Sequence, residues 1–212
     1  MPFFREINFI NGIRAGIWQI TETATELLAN IQLSDSEAIL YSRFSHDLRK
    51  RQWLAYRVLL KYLLVPLTTE LAYDQHGKPY LVSGSHFISV SHAGEFAAVV
   101  CSENSIVGID IEKMKDRIER IKERYLQKNE IDSLSPKNRL EQLYVFWGGK
   151  EAIYKLHGLP DIDFQNDIYI HPFDYLCNTN QSCKATLTIN GHRIEYSLNF
   201  QKLEEYMLVV AF

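Results

Sequence analysis

The stretch Phe146-Trp147-Gly148-Gly149-Lys150-Glu151-Ala152-Ile153-Tyr154-Lys155 organises the second half of the chain. Its flanks and apolar spacing predict one long helix. Ser135 followed by proline is typical of an N-cap with proline in the first helical position, and Gly158 predicts the helix end. Apolar residues recur between these limits at spacings of three and four, which predicts a buried face.

The polar residues and paired glycines of this helix point beyond folding. Glu151 and Lys155 are four residues apart and share one side of the helix, an arrangement equally typical of an exposed ion pair worth about 0.3 kcal/mol. Gly148 and Gly149 each cost a helix interior up to ~1 kcal/mol relative to alanine. We infer that something requires the close backbone approach that they permit.

The composition is that of a soluble globular protein. The chain has 212 residues, of which 46% are hydrophobic and 23% charged, enough for one ordinary domain or two small lobes. The first residues lack a signal pattern and no apolar run approaches the ~20 residues needed to span a bilayer, so we expect a cytoplasmic protein without membrane contact. A net charge of −3 argues against a broad nucleic-acid surface. Three widely spaced cysteines, Cys101, Cys177 and Cys183, predict reduced thiols and neither a disulfide frame nor a zinc site.

Both halves are mixed and have similar content, helices followed by about three strands, which predicts an α+β fold with two lobes, residues 1–105 and 106–212. Ser34-x-x-Glu37 is a capping box that opens a helix, and residues 48–64 form the strongest helix of the first half. Asn190-Gly191 suits the turn of a hairpin. Further predicted strands are 16–20, 71–73, 80–82, 87–92, 95–101, 106–112 and 206–212, and further helices are 21–31, 116–126 and 129–134.

Two short polar patterns carry candidate chemistry. Asp110 and Glu112 alternate in a strand and project to one face, where two carboxylates repel unless a cation joins them. Such hard oxygen ligands favour magnesium, calcium or manganese, although a solvated strand face fits the pattern equally well. Ser91-His92-Ala93-Gly94 ends a strand and offers a hydroxyl, an imidazole and backbone amides to a phosphate, or else is structural. No serine-hydrolase elbow or Walker loop is present.

Four motifs in one order make these patterns specific. They are Gly77-Lys78-Pro79, 88–92, 108–112 and Trp147-x-x-Lys150-Glu151-Ala152. The series resembles the 4′-phosphopantetheinyl transferases, in particular the two-lobed type that activates surfactin and enterobactin synthetases. The resemblance implies two pseudo-symmetric α/β lobes with coenzyme A bound in the cleft between them.

The resemblance also implies roles at the reacting phosphates. Asp110, Glu112 and Glu151 match the acids that hold Mg²⁺, with Mn²⁺ a possible substitute. Lys155 matches a lysine that contacts the coenzyme A phosphates, and Lys150 is the motif lysine of the same site. With His92, these residues form the expected catalytic set.

A second group of residues matches the nucleotide contacts of the family. Ser91 and His92 match the pair that touches the nucleotide's phosphate groups, and Lys78 matches the lysine of the Gly-Lys-Pro motif. Arg51 matches an arginine that holds the 3′-phosphate, with Arg57 as a second candidate. Trp147 is expected to be a packing residue.

The implied reaction is transfer of 4′-phosphopantetheine from coenzyme A to a serine of an apo-acyl or peptidyl carrier protein, releasing adenosine 3′,5′-bisphosphate. Glu151 is the preferred base, directly or through a metal-bound water. The segment Lys113–Lys128 has seven Lys/Arg against three Asp/Glu, so we expect it to dock an acidic carrier onto a monomeric enzyme. Alternatives are a magnesium-dependent phosphohydrolase acting on a small nucleotide and a non-enzymatic module that binds a carrier or RNA.

Overall fold

The computed structural model describes residues 4–67, 69–176 and 180–212. The chain divides into two compact units, Met1–Ile106 and Val107–Phe212. Each unit packs helices on an antiparallel sheet, so the predicted α+β class is confirmed. Within the described ranges, no helix has the length and apolar character needed to cross a membrane. Cys101 and Cys183 are free thiols, and Cys177 lies outside the described residues.

The N-terminal unit is built on a four-stranded sheet in the order β1-β2-β6-β5. Helix α3 lies on β2 and β6 and buries its apolar face there, including Trp53 and Leu59. Helix α1 packs against α3, and a separate two-stranded ribbon, β3-β4, follows α3 in sequence. The elements are β1 (Phe4–Asn8), β2 (Arg14–Gln19), α1 (Ala24–Leu28), α2 (Asp35–Ser42), α3 (Asp47–Leu64), β3 (Leu71–Tyr73), β4 (Pro79–Leu81), β5 (Phe87–Ala93) and β6 (Phe96–Ser102).

The C-terminal unit is built on a five-stranded sheet in the order β7-β11-β10-β9-β8. Helix α5 lies across β7 and β11 and supplies the centre of the second core, with Val145, Phe146 and Ile153 fully buried. The elements are β7 (Gly108–Lys113), a 3-10 helix (Asp116–Arg124), α4 (Lys128–Asp132), α5 (Arg139–His157), β8 (Ile168–Ile170), β9 (Gln181–Ile189), β10 (His192–Leu203) and β11 (Tyr206–Ala211).

The structure corrects several predicted boundaries. Helix α5 starts after Asn138, so the N-cap predicted at Ser135 is wrong. The Ser135 backbone N–H instead donates to Gln142 Oε1 at 2.7 Å, which holds the preceding residues as a turn. The end of α5 at Gly158 is confirmed, since its φ of 68° is left-handed. Strands β1 and β8 were not predicted, because each is short and lacks a clear alternation.

A buried ion pair anchors α3 in the N-terminal unit. Glu37, in the first turn of α2, accepts from the backbone N–H of the N-cap residue Ser34 and from Arg57 Nε at 3.0 Å. The Leu71 backbone N–H also donates to its Oε1. The two side chains are 5% and 4% exposed, and the guanidinium stacks on Trp53 at 3.3 Å from the ring centre.

The C-terminal unit contains a pair of the same construction. Glu130, in the first turn of α4, accepts from the backbone N–H of the N-cap residue Gln127 and from Lys150 Nζ at 2.8 Å. Its other oxygen accepts from the Ile170 backbone N–H. The acid precedes the base by 20 residues in both units. Through these contacts, each unit ties its long helix to a short preceding helix and to a following strand.

Candidate functional site

Strand β7 and helix α5 approach so closely that only glycine fits at their contact. A Cβ on Gly108 would lie 1.9 Å from the backbone oxygen of Ala152, far inside van der Waals distance. Asp110, two residues after Gly108, and Glu151, one residue before Ala152, are therefore held near one another by backbone packing. This contact is the foundation of the candidate site.

The paired glycines of α5 serve the same close packing. A Cβ on Gly148 would lie 2.9 Å from Val209 Cγ2 of β11 and 3.4 Å from Asp110 Oδ2. A Cβ on Gly149 would lie 2.7 Å from methyl groups of β8 and β10. The inference that the two glycines permit a close approach is confirmed, and one of them borders a carboxylate of the site.

Three carboxylates and one lysine interact electrostatically where β7 faces α5. Asp110 is 3% exposed, and its Oδ1 lies 2.6 Å from Lys155 Nζ. Glu112 follows two residues later on β7, and its carboxylate interacts electrostatically with Asp110, Glu151 and Lys155. The alternation of the strand and the turn of the helix thus bring together four residues predicted from sequence.

The acids perturb one another strongly. Burial, and then the neighbouring Asp110, raise the pKa of Glu112 above its usual 4.5 to about 7. Burial and Asp110 also raise the pKa of Glu151, while Lys155 opposes both shifts. The cluster therefore holds more negative charge than one ammonium group neutralises, which favours binding of a further cation or proton.

Trp147 both packs and holds an acid of the cluster. Its ring meets Tyr125 edge-on, with 5.1 Å between ring centres, and lies 5.9 Å from the ring of Phe164. Its side chain also lies near the Glu112 carboxylate and lowers the pKa of that acid, which favours the charged form. Its position in the core thus orients one carboxylate of the site.

The acid cluster has the donor chemistry of a magnesium site. In the described part of the chain, no three His, Cys, Asp or Glu side chains stand close enough together to form a ready-made metal site, and Lys155 occupies Asp110 Oδ1. The available donors are carboxylate oxygens, which Mg²⁺ and Mn²⁺ prefer, and burial first and the neighbouring Asp110 second raise the pKa of Glu112. Asp110, Glu112 and Glu151 fit such an ion by chemistry.

Lys150 lies elsewhere than predicted. Its side chain is fully buried and donates to Glu130 and to two backbone carbonyls, so it points into the core and away from solvent. Burial lowers its pKa, and the adjacent Glu130 counters that shift. The predicted contact of Lys150 with the coenzyme A phosphates is wrong for this position, because an ammonium group has only three donors and all are engaged.

In the N-terminal unit, the candidate phosphate residues centre on His92. Its Nε2 contacts Nη1 of Arg49, from the first turns of α3, and Gln52 Nε2 of the same helix donates to the Gly94 carbonyl at 2.9 Å. Ser91 and His92 lie near the end of strand β5, as predicted, and their side chains leave opposite faces because they are adjacent. Ser91 is buried and His92 half-buried.

The other predicted nucleotide ligands differ in accessibility. Arg51 is partly exposed and donates to Asp47 at 2.8 Å, and Lys78 is half-buried in the turn between β3 and β4. Arg57 is instead buried in the ion pair with Glu37, and its guanidinium also donates to the Trp53 carbonyl and the Tyr73 hydroxyl. Arg57 is therefore a structural residue, and its prediction as a nucleotide ligand is corrected.

Two residues at these sites were missed in the sequence. Arg49 lies outside the four motifs, although its place one turn before Trp53 puts it at the helix start, where ligand contacts are common. Glu130 was not singled out at all. The pattern Gln127-x-x-Glu130 repeats the Glu position of a capping box, but without Ser or Thr at the N-cap it carried no signal.

Comparison with known proteins agrees with this geometry. The sequence profile of the 4′-phosphopantetheinyl transferase superfamily matches residues 106–211, which include the whole acid cluster. The 4′-phosphopantetheinyl transferase AcpT of Salmonella typhi is 30% identical over 148 residues, covering 67% of this chain and 75% of that protein.

Two further relatives match over shorter stretches. AcpT of Escherichia coli O157:H7 is 34% identical over 119 residues, covering 52% of this chain and 59% of that protein. The 4′-phosphopantetheinyl transferase Sfp of Bacillus subtilis (strain 168) is 34% identical over 91 residues, covering 40% of this chain and 39% of that protein. The chain thus spans little more than half of the Escherichia coli relative. By the profile and by the Salmonella relative, the chain belongs to the 4′-phosphopantetheinyl transferase superfamily.

Proposed function

We propose that this protein transfers 4′-phosphopantetheine from coenzyme A to a serine of an apo-acyl or peptidyl carrier protein. The observation that carries the proposal is that Asp110, Glu112, Glu151 and Lys155 interact electrostatically at the contact of β7 with α5. These residues lie inside the region matched by the superfamily profile. A diphosphate substrate needs such a site, because its charge must be neutralised before an anionic oxygen can leave.

The reaction is an in-line displacement at phosphorus. The carrier serine Oγ attacks the β-phosphorus of coenzyme A, and the bond from that phosphorus to the bridging oxygen breaks. Adenosine 3′,5′-bisphosphate leaves with the bridging oxygen. The serine proton passes to Glu151, whose raised pKa suits a base that operates near neutral pH.

Mg²⁺ is the proposed cofactor, with Mn²⁺ able to replace it. Asp110, Glu112 and Glu151 would hold it, and it would neutralise the diphosphate. Lys155 is 29% exposed, so its ammonium can turn from Asp110 to a phosphate oxygen when the acids engage a cation. Lys155 therefore belongs to both the catalytic and the coenzyme A-binding sets.

Residues of the N-terminal unit are proposed to bind the nucleotide. His92 and Arg49 are in contact and both can donate to a phosphate, which makes this pair the strongest candidate. Arg51, Lys78 and Ser91 remain proposed ligands from the family resemblance.

The test is incubation with coenzyme A, Mg²⁺ and an apo-carrier protein from the same cell, followed by intact-mass analysis. The expected result is a gain of one phosphopantetheine group on the carrier, abolished by Glu151→Gln. Glu141→Gln is the matched control, because it makes the same change on α5 but removes only a surface pair with Lys202. Release of phosphate without any carrier would instead favour a phosphohydrolase, and carrier binding without a mass gain would favour a binding module.

The carrier is proposed to dock on the basic segment, Lys113–Lys128. A groove of about 510 Å³ lies along its 3-10 helix, and its lining includes Arg117 and Arg120 of that helix and Leu140 and Leu143 of α5. Within that helix Glu119 is already engaged by Lys122 and Arg139. The exposed arginines are therefore available to an acidic partner, whose approach they would accelerate.

Single charge reversals test this docking role. Arg117→Glu, Arg120→Glu and Arg124→Glu should each raise the KM for the carrier about threefold to tenfold while leaving the KM for coenzyme A unchanged, and salt should reduce the difference. Arg193→Glu, an exposed arginine on the β9–β10 hairpin, is the control. Carrier kinetics that respond equally to all four changes would exclude a specific docking surface.

A further inference from the structure

We propose that Lys150 and Glu130 are positioning residues, whose buried ion pair sets the rotation of α5 and thereby aims Glu151 at the other acids. This inference rests on the proposed function, because the pair would act on the same acid cluster. Lys150 would act through Glu151 and would not touch the substrate, contrary to the expectation from sequence.

The contacts of Lys150 exclude a substrate contact and fix its position. Its Nζ donates to Glu130 Oε2 at 2.8 Å, to the Phe164 carbonyl at 2.9 Å and to the Ile168 carbonyl at 2.7 Å. These acceptors use all three ammonium donors, and both side chains of the pair are 0% exposed. Any rotation of α5 would break several of these bonds in a region without solvent.

Glu130 is held just as firmly from its own side. Its Oε2 also accepts from the Gln127 backbone N–H at 2.7 Å, and its Oε1 accepts from the Ile170 backbone N–H at 2.8 Å. One carboxylate therefore joins the start of α4, the strand β8 and, through Lys150, the middle of α5. A buried network with every partner satisfied is rigid.

This anchoring reaches two acids of the site. Glu151 follows Lys150 and leaves the helix about 100° away, so the direction of Lys150 determines that of Glu151. Phe164, whose carbonyl accepts from Lys150, packs against Trp147, and Trp147 lies near the Glu112 carboxylate, whose pKa it lowers. The pair thus supports acids on both α5 and β7.

The N-terminal unit supplies a matched control. Arg57 and Glu37 form a buried pair of the same construction and the same spacing, but the residue after Arg57 is the core residue Val58. Loss of that pair should destabilise the protein without changing the acids. The comparison separates a positioning role from a purely structural one.

The test uses two double variants, Lys150→Met/Glu130→Gln and Arg57→Met/Glu37→Gln, which remove each charge pair without leaving a lone buried charge. Thermal unfolding, Mn²⁺ affinity by calorimetry and transfer kinetics are measured on the full chain. Both doubles should lower Tm. Only Lys150→Met/Glu130→Gln should weaken Mn²⁺ binding, by about tenfold or more, and lower kcat to match, as supporting shells of metal sites do.

The kinetic split identifies the role. The KM for coenzyme A should stay within about twofold in Lys150→Met/Glu130→Gln, because the lysine does not touch the substrate, whereas Lys155→Met should raise it. A tenfold rise in that KM with kcat unchanged would overturn the proposal in favour of a phosphate ligand. Equal Mn²⁺ affinities in the two doubles, or no Mn²⁺ binding by the unmutated protein, would also overturn it.

Two further cases distinguish the positioning role from a folding defect and from failure of the proposed function. If a double variant does not fold, the single changes Glu130→Gln and Glu37→Gln repeat the comparison, since glutamine retains a side-chain acceptor. If the unmutated protein modifies no carrier but the Mn²⁺ contrast between the two variants holds, the proposed transferase function fails and the positioning role stands.

Discussion

Each of the two units fixes its long helix with a buried ion pair, but the residue that follows the basic partner differs between them. In the N-terminal unit, Arg57 pairs with Glu37 and is followed by Val58, which is 1% exposed in an apolar core. In the C-terminal unit, Lys150 pairs with Glu130 and is followed by Glu151, whose pKa burial and a neighbouring acid raise. The same anchored helix thus supports packing in one unit and a charged site in the other.

The difference separates the needs of the fold from those of the chemistry. A buried pair contributes little net stability over apolar packing, but removing one partner is costly, so the device defines the geometry of both helices. The acid cluster costs stability because it buries like charges, and it belongs to the C-terminal unit. Residues that break local stability rules without a structural gain are expected at functional sites.

The strand beneath each helix shows the same contrast in its glycine. A Cβ on Gly16 of β2 would lie 2.7 Å from Leu59 Cδ1, the mobile end of a side chain on α3. A Cβ on Gly108 of β7 would lie 1.9 Å from the Ala152 carbonyl, which is backbone of α5. The helix that carries Glu151 therefore lies closer to its strand, with no room to adjust.

The largest expected effect is that of Gly108→Ala. The added methyl group must push α5 away from β7, which should cost about 3 kcal/mol or more and abolish transfer even where the protein still folds. Gly16→Ala should cost about 1–2 kcal/mol, because Leu59 can change rotamer. Chemical denaturation of both variants gives the free energies of unfolding, and equal losses would show that the two contacts are equivalent.

The next largest effect is expected when the residue after each buried pair, Val58 or Glu151, is replaced by the residue type found in the other unit. Val58→Glu would bury a carboxylate without a cation and should cost about 3 kcal/mol or more. Glu151→Val removes a half-buried acid from a cluster of like charge, so it should leave stability unchanged or raise it by up to about 1 kcal/mol, while transfer is lost.

Thermal unfolding and the intact-mass assay check this pair of changes. Glu141→Val is the control on α5, since Glu141 pairs with Lys202 near the surface. Clear destabilisation by Glu151→Val but not by Glu141→Val would mean that Glu151 supports the fold, which would weaken the distinction between the two units.

Local patterns in the sequence predicted the frame of the site well. The period-two alternation of 108–112 placed Asp110 and Glu112 on one face, and the i,i+4 spacing placed Glu151 beside Lys155. The capping box at Ser34 and the helix end at Gly158 were also correct. These features depend on neighbours within one turn or one strand, which periodicity detects.

The parts that failed depend on contacts distant in sequence. Lys150 sits beside Glu151 in the motif, so nothing local shows that its charge is met by Glu130, 20 residues earlier. The prediction of Arg57 as a nucleotide ligand fails for the same reason, since its partner Glu37 belongs to another helix. Buried pairs satisfy no hydrophobic period and are visible only once the helices are packed.

The smallest expected effect is a pH dependence confined to the C-terminal unit. The folded-state pKa of Glu112 is about 7 and its ordinary value 4.5, so the folded protein binds the proton more tightly than the unfolded chain does. Stability from this group is therefore full below about pH 4.5 and falls as the pH rises towards 7, a shift of a few degrees in Tm at most for a half-buried group. Glu112→Gln should remove the shift, and Mg²⁺ should reduce it in the unmutated protein, because a cation favours the ionised carboxylate. Thermal unfolding at pH 5.5 and pH 8, with and without Mg²⁺, measures both effects. If Tm of Glu112→Gln depends on pH in the same way as Tm of the unmutated protein, another group titrates. The pH dependence would then not distinguish the C-terminal unit from the N-terminal unit.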